Sequence, residues 1–264
     1  MRTLTALLVA AAVLAGAGDA RTVAAPAPAW FADFGTGLLD EFAPVTATDA
    51  DPVRPKVVRP AGRYLAEYRI TAGGARSQTV PDLTALQRIS DGDELWFAWR
   101  MWVPADLPLG SPGFQGFAEW KNPGLGAAPL ALLVGHESTD FRAEGGFSHP
   151  DGNRLSSANL GPVQRERWIT WLWHVRFATD PARGVVDVWR DGVQVVAGWQ
   201  PAGGTLYPAR AADGSDPNRA DGTYVTWKLG YFRSPTFTTD TFVWIDAARA
   251  GYSRASVELA TVAQ

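Results

Sequence analysis

Residues 94–103, ELWFAWRMWV, alternate without interruption. Leu95, Phe97, Trp99, Met101 and Val103 fall on one face of an extended chain, and Trp96, Ala98, Arg100 and Trp102 on the other. Pro104 and Pro108 end the stretch. The same period of two returns in Arg63 to Thr71, Phe114 to Lys121, Leu130 to His136, Trp168 to Phe177 and Thr241 to Ala250. Gly184 to Arg190 and Val193 to Trp199 flank Asp191-Gly192, a two-residue hairpin turn. Shorter strands are expected at Leu38 to Phe42 and Ala75 to Val80. No stretch shows helical periodicity beyond single turns. Many short strands with no repeat period specify an all-β, single-domain antiparallel β-sandwich.

The strand expected at Tyr224 to Arg233, YVTWKLGYFR, has two unequal faces. Val225, Trp227, Leu229 and Tyr231 form the more apolar one, the expected core side. Tyr224, Thr226, Lys228, Gly230 and Phe232 form the other. A cation, open backbone and a ring in one row suit an anionic sugar lying across a sheet. They equally suit an ordinary solvent-facing strand with one extended lysine. Residues 137–162 and 200–222 are polar and Gly-rich and are expected as long loops, with at most a short strand near Phe141.

The first 20 residues read as a secretory signal: Arg2, an apolar run from Leu4 to Ala15, then small residues at a cleavage site. That run is too short to span a bilayer, so no membrane anchor is expected. Residues 21–30 are an Ala/Pro linker and 31–264 the domain. The expected location is secreted and extracytoplasmic. The chain has no cysteine, so its core must hold without disulfides. Its net charge of −3 lacks the basic surplus of a nucleic-acid binder. Twelve Trp and 12 Phe suit a sandwich core and sugar stacking alike.

Several segments, taken in order, resemble the heparin lyase I-like polysaccharide lyase family, related to the glucuronan and alginate lyases. They are Arg76-Ser77-Gln78-Thr79, the strand Trp96 to Pro104, Glu119-Trp120-Lys121, and the block Trp168 to Gly192. Lys228-Leu229-Gly230-Tyr231-Phe232-Arg233 and Val243-Trp244-Ile245-Asp246 complete the set, over roughly residues 60–250. The resemblance implies a β-jelly roll of concanavalin-like type whose concave sheet holds an acidic polysaccharide. It implies cleavage by β-elimination without an organic cofactor. Three residues depart from the family pattern. Glu119 replaces a glutamine, Lys121 a histidine, and Phe232 a tyrosine.

The resemblance implies carboxylate binding by Arg76 and Gln78, and the proton-transfer residue it calls for is expected at His149, on a loop that can swing over a cleft, or at Tyr231. Arg100, Glu119, Lys121, Lys228 and Arg233 are the expected substrate-binding residues. An Arg fork suits a uronate carboxylate, and His149 lies on the loop GGFSHPDGN. The other two histidines, His136 and His174, read as structural. Glu119 invites a cross-strand ion pair with Arg76 or Lys121. The Glu119 and Phe232 departures favour a second reading, a non-catalytic lectin-like glycan-binding module. A glycoside hydrolase would need two carboxylates facing one cleft, such as Glu119 with Glu144 or Asp246. No metal is required. The loop Asp213 to Gly222 clusters oxygen ligands like a calcium loop but lacks EF-hand spacing, and the same residues make good turns.

Overall fold

The computed structural model describes residues 26–43, 53–208 and 222–260. The signal segment, the first half of the linker and nearly all of the loop Asp213 to Gly222 lie outside these residues. The strands are β1 (Trp30–Ala32), β2 (Lys56–Val58), β3 (Leu65–Ile70), β4 (Arg76–Thr79), β5 (Ile89–Ser90), β6 (Glu94–Trp102), β7 (Gln115–Lys121) and β8 (Leu130–Val134). They continue as β9 (Asp140–Gly145), β10 (Ser156–Pro162), β11 (Trp168–Arg176), β12 (Val185–Arg190), β13 (Val193–Trp199), β14 (Tyr224–Arg233) and β15 (Thr241–Gly251). Among the described residues helix is confined to single turns such as α1 (Thr84–Gln87) and α2 (Arg254–Val257). Among the described residues no helix is long and apolar enough to cross a membrane.

Two antiparallel sheets form a β-sandwich of jelly-roll type. The first runs β13-β12-β11-β6-β15-β3-β2, with β1 also paired to β15. The second runs β10-β9-β8-β7-β14-β4, with β5 also paired to β14. Alternation decides what lies between them. Phe97, Trp99 and Met101 of β6 point inward, as do Trp120 of β7 and Trp227 and Leu229 of β14. The Trp120 ring lies 5.0 Å from that of Trp173 on the opposing sheet, and Phe97 lies 4.9 Å from Trp227. Such aromatic pairs add about 0.5–1.5 kcal/mol each beyond their area burial, which suits a core that has no covalent staple.

Backbone geometry fits the turn chemistry. Asp191 (φ 51°) and Gly192 (φ 82°) both take positive φ in the β12–β13 hairpin, the backbone that matches strand twist. On β14 the register with β7 shifts between Leu229 and Phe232. Gly230 (φ 142°) sits in that bulge, where a Cβ would lie 2.5 Å from the Ser77 carbonyl oxygen, so only glycine fits.

Three expectations are corrected here. The span 137–162 is not one long loop: β9 and β10 pair along it and extend the second sheet. Their alternation is masked by short polar residues, and their turn by glycines. The strand expected at Leu38 to Phe42 is a turn with one bridge, Phe42 to Pro81. The linker ends sooner than residue 30. The Ala29 N–H donates to Ala250 O at 3.0 Å, and Trp30 begins β1 and packs on Phe42 and Trp227.

Close packing at the end of β9 gives a direct test. A Cβ on Gly145 would lie 2.1 Å from the backbone oxygen of Pro129. Backbone must move to admit it, so Gly145→Ala is expected to cost about 2–3 kcal/mol or more. Thermal unfolding should show a midpoint lowered by about 2–4 °C per kcal/mol.

Candidate active site

The outer face of the first sheet is closed by its own residues. Val257 and Leu259, from α2 and the segment after it, pack with Ala98, Leu172 and Ala247. Trp102 and Trp244 stack face to face at 4.7 Å, with Phe242 beside them. Each ring spends a face on its neighbour, which leaves little flat surface for a sugar. Asp246 is buried here, bonded to Arg63 and 2.9 Å from Arg100 Nε. Arg100 therefore lies on the sheet opposite Glu119 and Lys228, and its expected place among the substrate-binding residues is corrected. Alternation had given its face correctly but not its sheet. His174 is also on this sheet, bonded to Asp187 (2.9 Å) and Glu94 (2.8 Å), the structural role expected of it.

The outer face of the second sheet is different. Strand register carries two rows across it. One passes from Ser157 through Glu144, Ala131 and Glu119 to Lys228. The other passes from Asn159 through Arg142, Leu133, Gly116 and Phe232 to Arg76. Gln78 follows Arg76 two places along β4, so it shares that face. Ala131, Leu133 and Phe232 form a small apolar cluster between the rows, and the Phe232 ring occupies the space a Cβ on Gly116 would need.

An outer face is normally wet, yet Glu119 is only 3 % exposed and Lys121 7 %. The centre of this face is therefore recessed. Two groups in it carry buried polar atoms without a hydrogen bond: both amide atoms of Gln78, and Oε1 of Glu119. Buried polar atoms are normally satisfied, so these are groups a bound ligand could satisfy. Glu119 Oε1 lies 3.8 Å from Lys228 Nζ. The cross-strand ion pair expected of Glu119 exists, with Lys228 rather than with Arg76 or Lys121.

Lys121 ends β7 on the same face. Its Nζ donates to Asn122 O (2.8 Å), Asn122 Oδ1 (2.7 Å) and Gly124 O (3.1 Å). Burial pushes its pKa down to about 8, against the opposing pull of Glu119. An ammonium has three protons, and all three are engaged. Lys121 thus holds the turn after β7. Asn122 Nδ2 donates to Tyr207 O (2.9 Å), and the Tyr207 ring meets His149 edge-on at 4.9 Å. His149 is thereby brought to the Lys121 end of the sheet. Its Nδ1 accepts the Asp151 N–H at 3.1 Å, so the neutral ring carries its proton on Nε2 and donates there.

Two further expectations are corrected. Tyr231 faces the interior, stacked on Phe117, and its hydroxyl donates to Gln115 Oε1 at 2.5 Å. Burial pushes its pKa well up, so it cannot exchange protons with a sugar on the outer face. Arg233 is 2 % exposed, and its guanidinium donates to the carbonyls of Thr71 (2.7 Å), Thr239 (2.8 Å) and Gly74 (3.4 Å). It ties loops together instead of meeting substrate. Tyr231→Phe should cost about 1–2 kcal/mol, because Gln115 loses its donor, and should leave turnover unchanged. A catalytic tyrosine would instead lose about 10²-fold or more in turnover; an activity assay paired with thermal unfolding separates the two.

Sequence reading passed over Arg142 on this face, and named Glu144 only as a hydrolase carboxylate beside Glu119, whose face it does share. The signal was present, since Phe141 and Ala143 alternate with them. Among the described residues no group of three or more His, Cys, Asp or Glu could hold a metal ion.

The fold has known counterparts. The chain is similar to an endo-β-1,4-glucuronan lyase from the fungus Trichoderma reesei, with 15% identity over 87% of this chain and 98% of that one and a TM-score of 0.63. It is similar to alginate lyase A1-II′, with 10% identity over 75% and 83% of the two chains and a TM-score of 0.51. It is also similar to the cellulose-induced protein Cip1, with 13% identity over 84% and 97% and a TM-score of 0.50. At these identities the likeness establishes the fold. No curated protein matches the sequence at a significant level. A family model described as polysaccharide lyase matches residues 43–249, most of the chain and every strand of the recessed face, and the chain belongs to that family.

Proposed function

We propose that the protein is a secreted lyase of the heparin lyase I-like type that cleaves a uronic-acid-containing polysaccharide by β-elimination on the outer face of the second sheet. The observation that carries this reading is the Gln78 amide, buried and without a hydrogen bond, beside Arg76 on a recessed face that also bears Lys228 and Lys121. The proton on C5 of a uronate is weakly acidic. Its removal spreads charge onto the neighbouring carboxylate, and donors placed at that carboxylate stabilise the charge as it develops. Arg76 offers a bidentate fork and Gln78 an amide N–H for that purpose. Lys228 and His149 are suited to hold neighbouring sugars, the first by charge and the second through Nε2–H. The similarity to a glucuronan lyase and an alginate lyase supports an acidic polymer.

The test is incubation of the protein with glucuronan, alginate, heparin and related polymers, following the ultraviolet absorbance of the unsaturated uronate that elimination leaves. A rise on at least one polymer is expected. The lectin-like reading draws on Phe232, which lacks the hydroxyl of the family's tyrosine. It predicts binding to a polymer with no absorbance change.

A further inference from the structure

We propose that Glu119 and Glu144 are the proton-transfer pair of this site, Glu119 taking the C5 proton and Glu144 protonating the departing O4. The inference rests on the lyase reading of the recessed face and supplies the groups that reading lacks.

The proton-transfer groups expected from the family are displaced or occupied. Phe232 has no hydroxyl. Tyr231 is turned into the core. The Tyr207 hydroxyl donates to Ala128 O at 3.2 Å, and burial pushes its pKa up to about 12. His149 has its ring acceptor filled by the Asp151 N–H. His136 Nδ1 is bonded to Pro112 O, and His174 lies on the other sheet. Lys121 has all three protons engaged.

Asp140, at the edge of the face, accepts from Asn159 Nδ2 at 2.7 Å, which leaves Glu119 and Glu144, set by register in one row with Ala131 between them. Strands lie about 4.8 Å apart, so the two Cα atoms are separated by about 10 Å. Only the methyl group of Ala131 stands between them in that row. Their surroundings differ. Glu119 is paired with Lys228, and its Oε1 makes no hydrogen bond. Glu144 is half-buried, flanked across the strands by the uncharged Ala131 and Ser157. Burial raises its pKa, against the opposing pull of Arg142 and His136. Carboxyl groups in contrasting environments are how one fold supplies both a base and an acid.

The electron accounting closes. Glu119 takes the proton from C5, and the C5–H pair becomes the C4=C5 double bond. The C4–O4 bond breaks, and O4 leaves with the proton of Glu144. Glu119 ends as the acid and Glu144 as the carboxylate, and exchange of one proton each with water restores both. Activity should fall as pH rises through the Glu144 value, because its acidic form is then lost.

The test uses the full-length protein, its Glu144→Gln and Glu119→Gln variants, and two substrates. One is the polymer cleaved by the wild type. The other is a uronide carrying dinitrophenol at O4, a leaving group that needs no proton. On the polymer, Glu144→Gln should lose about 10²–10³-fold in turnover with little change in KM, and its alkaline limb should vanish. On the dinitrophenyl substrate it should match the wild type, while Glu119→Gln should be slow on both. Thermal midpoints of the variants exclude unfolding. Polymer turnover by Glu144→Gln within about twofold of wild type, or an equal loss on both substrates, overturns the assignment while leaving the lyase reading intact. A wild type that releases no unsaturated product removes the reaction and the pair with it.

Discussion

Replacing Arg76 with alanine is expected to lower kcat/KM on an acidic polymer by about 10²–10³-fold, the loss typical of removing one donor from a site of developing charge. The effect should fall on turnover more than on binding, because the carboxylate charge grows in the transition state. Arg76 lies on β4, an edge strand of the second sheet, on its outer face and outside the hydrophobic core. The unfolding midpoint should therefore move little. Arg76→Lys should restore only part of the activity, since an ammonium lacks the planar fork. Full activity in Arg76→Ala would place the carboxylate site elsewhere on the face.

Arg233 should behave in the opposite way. Arg233→Ala leaves the Thr71 and Thr239 carbonyls without their short bonds and removes the cation above the Phe237 ring, 5.4 Å from its centroid. Hydrogen bonds from a charged donor contribute about 1.5–3 kcal/mol each, so a loss of about 3–5 kcal/mol is expected. For a domain of this size that is a fall of roughly 6–20 °C in unfolding midpoint. The folded fraction should keep its kcat and KM. A variant of normal stability with weakened polymer binding would return Arg233 to the groove.

These two arginines show what the sequence could and could not convey. Alternation is local, and it placed Phe97, Trp99, Trp227 and Leu229 in the core correctly. It also placed Tyr231 on the core side, and the catalytic expectation for that residue came from a motif that the bulge at Gly230 does not rescue. Alternation does not say to which sheet an outer face belongs, hence Arg100. It is silent on Arg233, whose carbonyl partners lie at Thr71, Gly74 and Thr239 in separate loops. The recessed row of Glu144, Ala131, Glu119 and Lys228 depends on the pairing of four strands, and pairing is set by the assembled sheet. The ion pair at Glu119 was foreseen, but its partner was decided by register alone.

The central claim is that the recessed face of the second sheet removes a proton from a bound uronate and expels O4. The most direct measurement is the ultraviolet absorbance of unsaturated uronate released from polyuronates by the wild type beside Arg76→Ala. The account predicts a rise with the wild type that is nearly abolished in the variant. Chain cleavage with saturated ends, as two carboxyl groups acting in hydrolysis would give, or polymer binding with no cleavage at all, would contradict it.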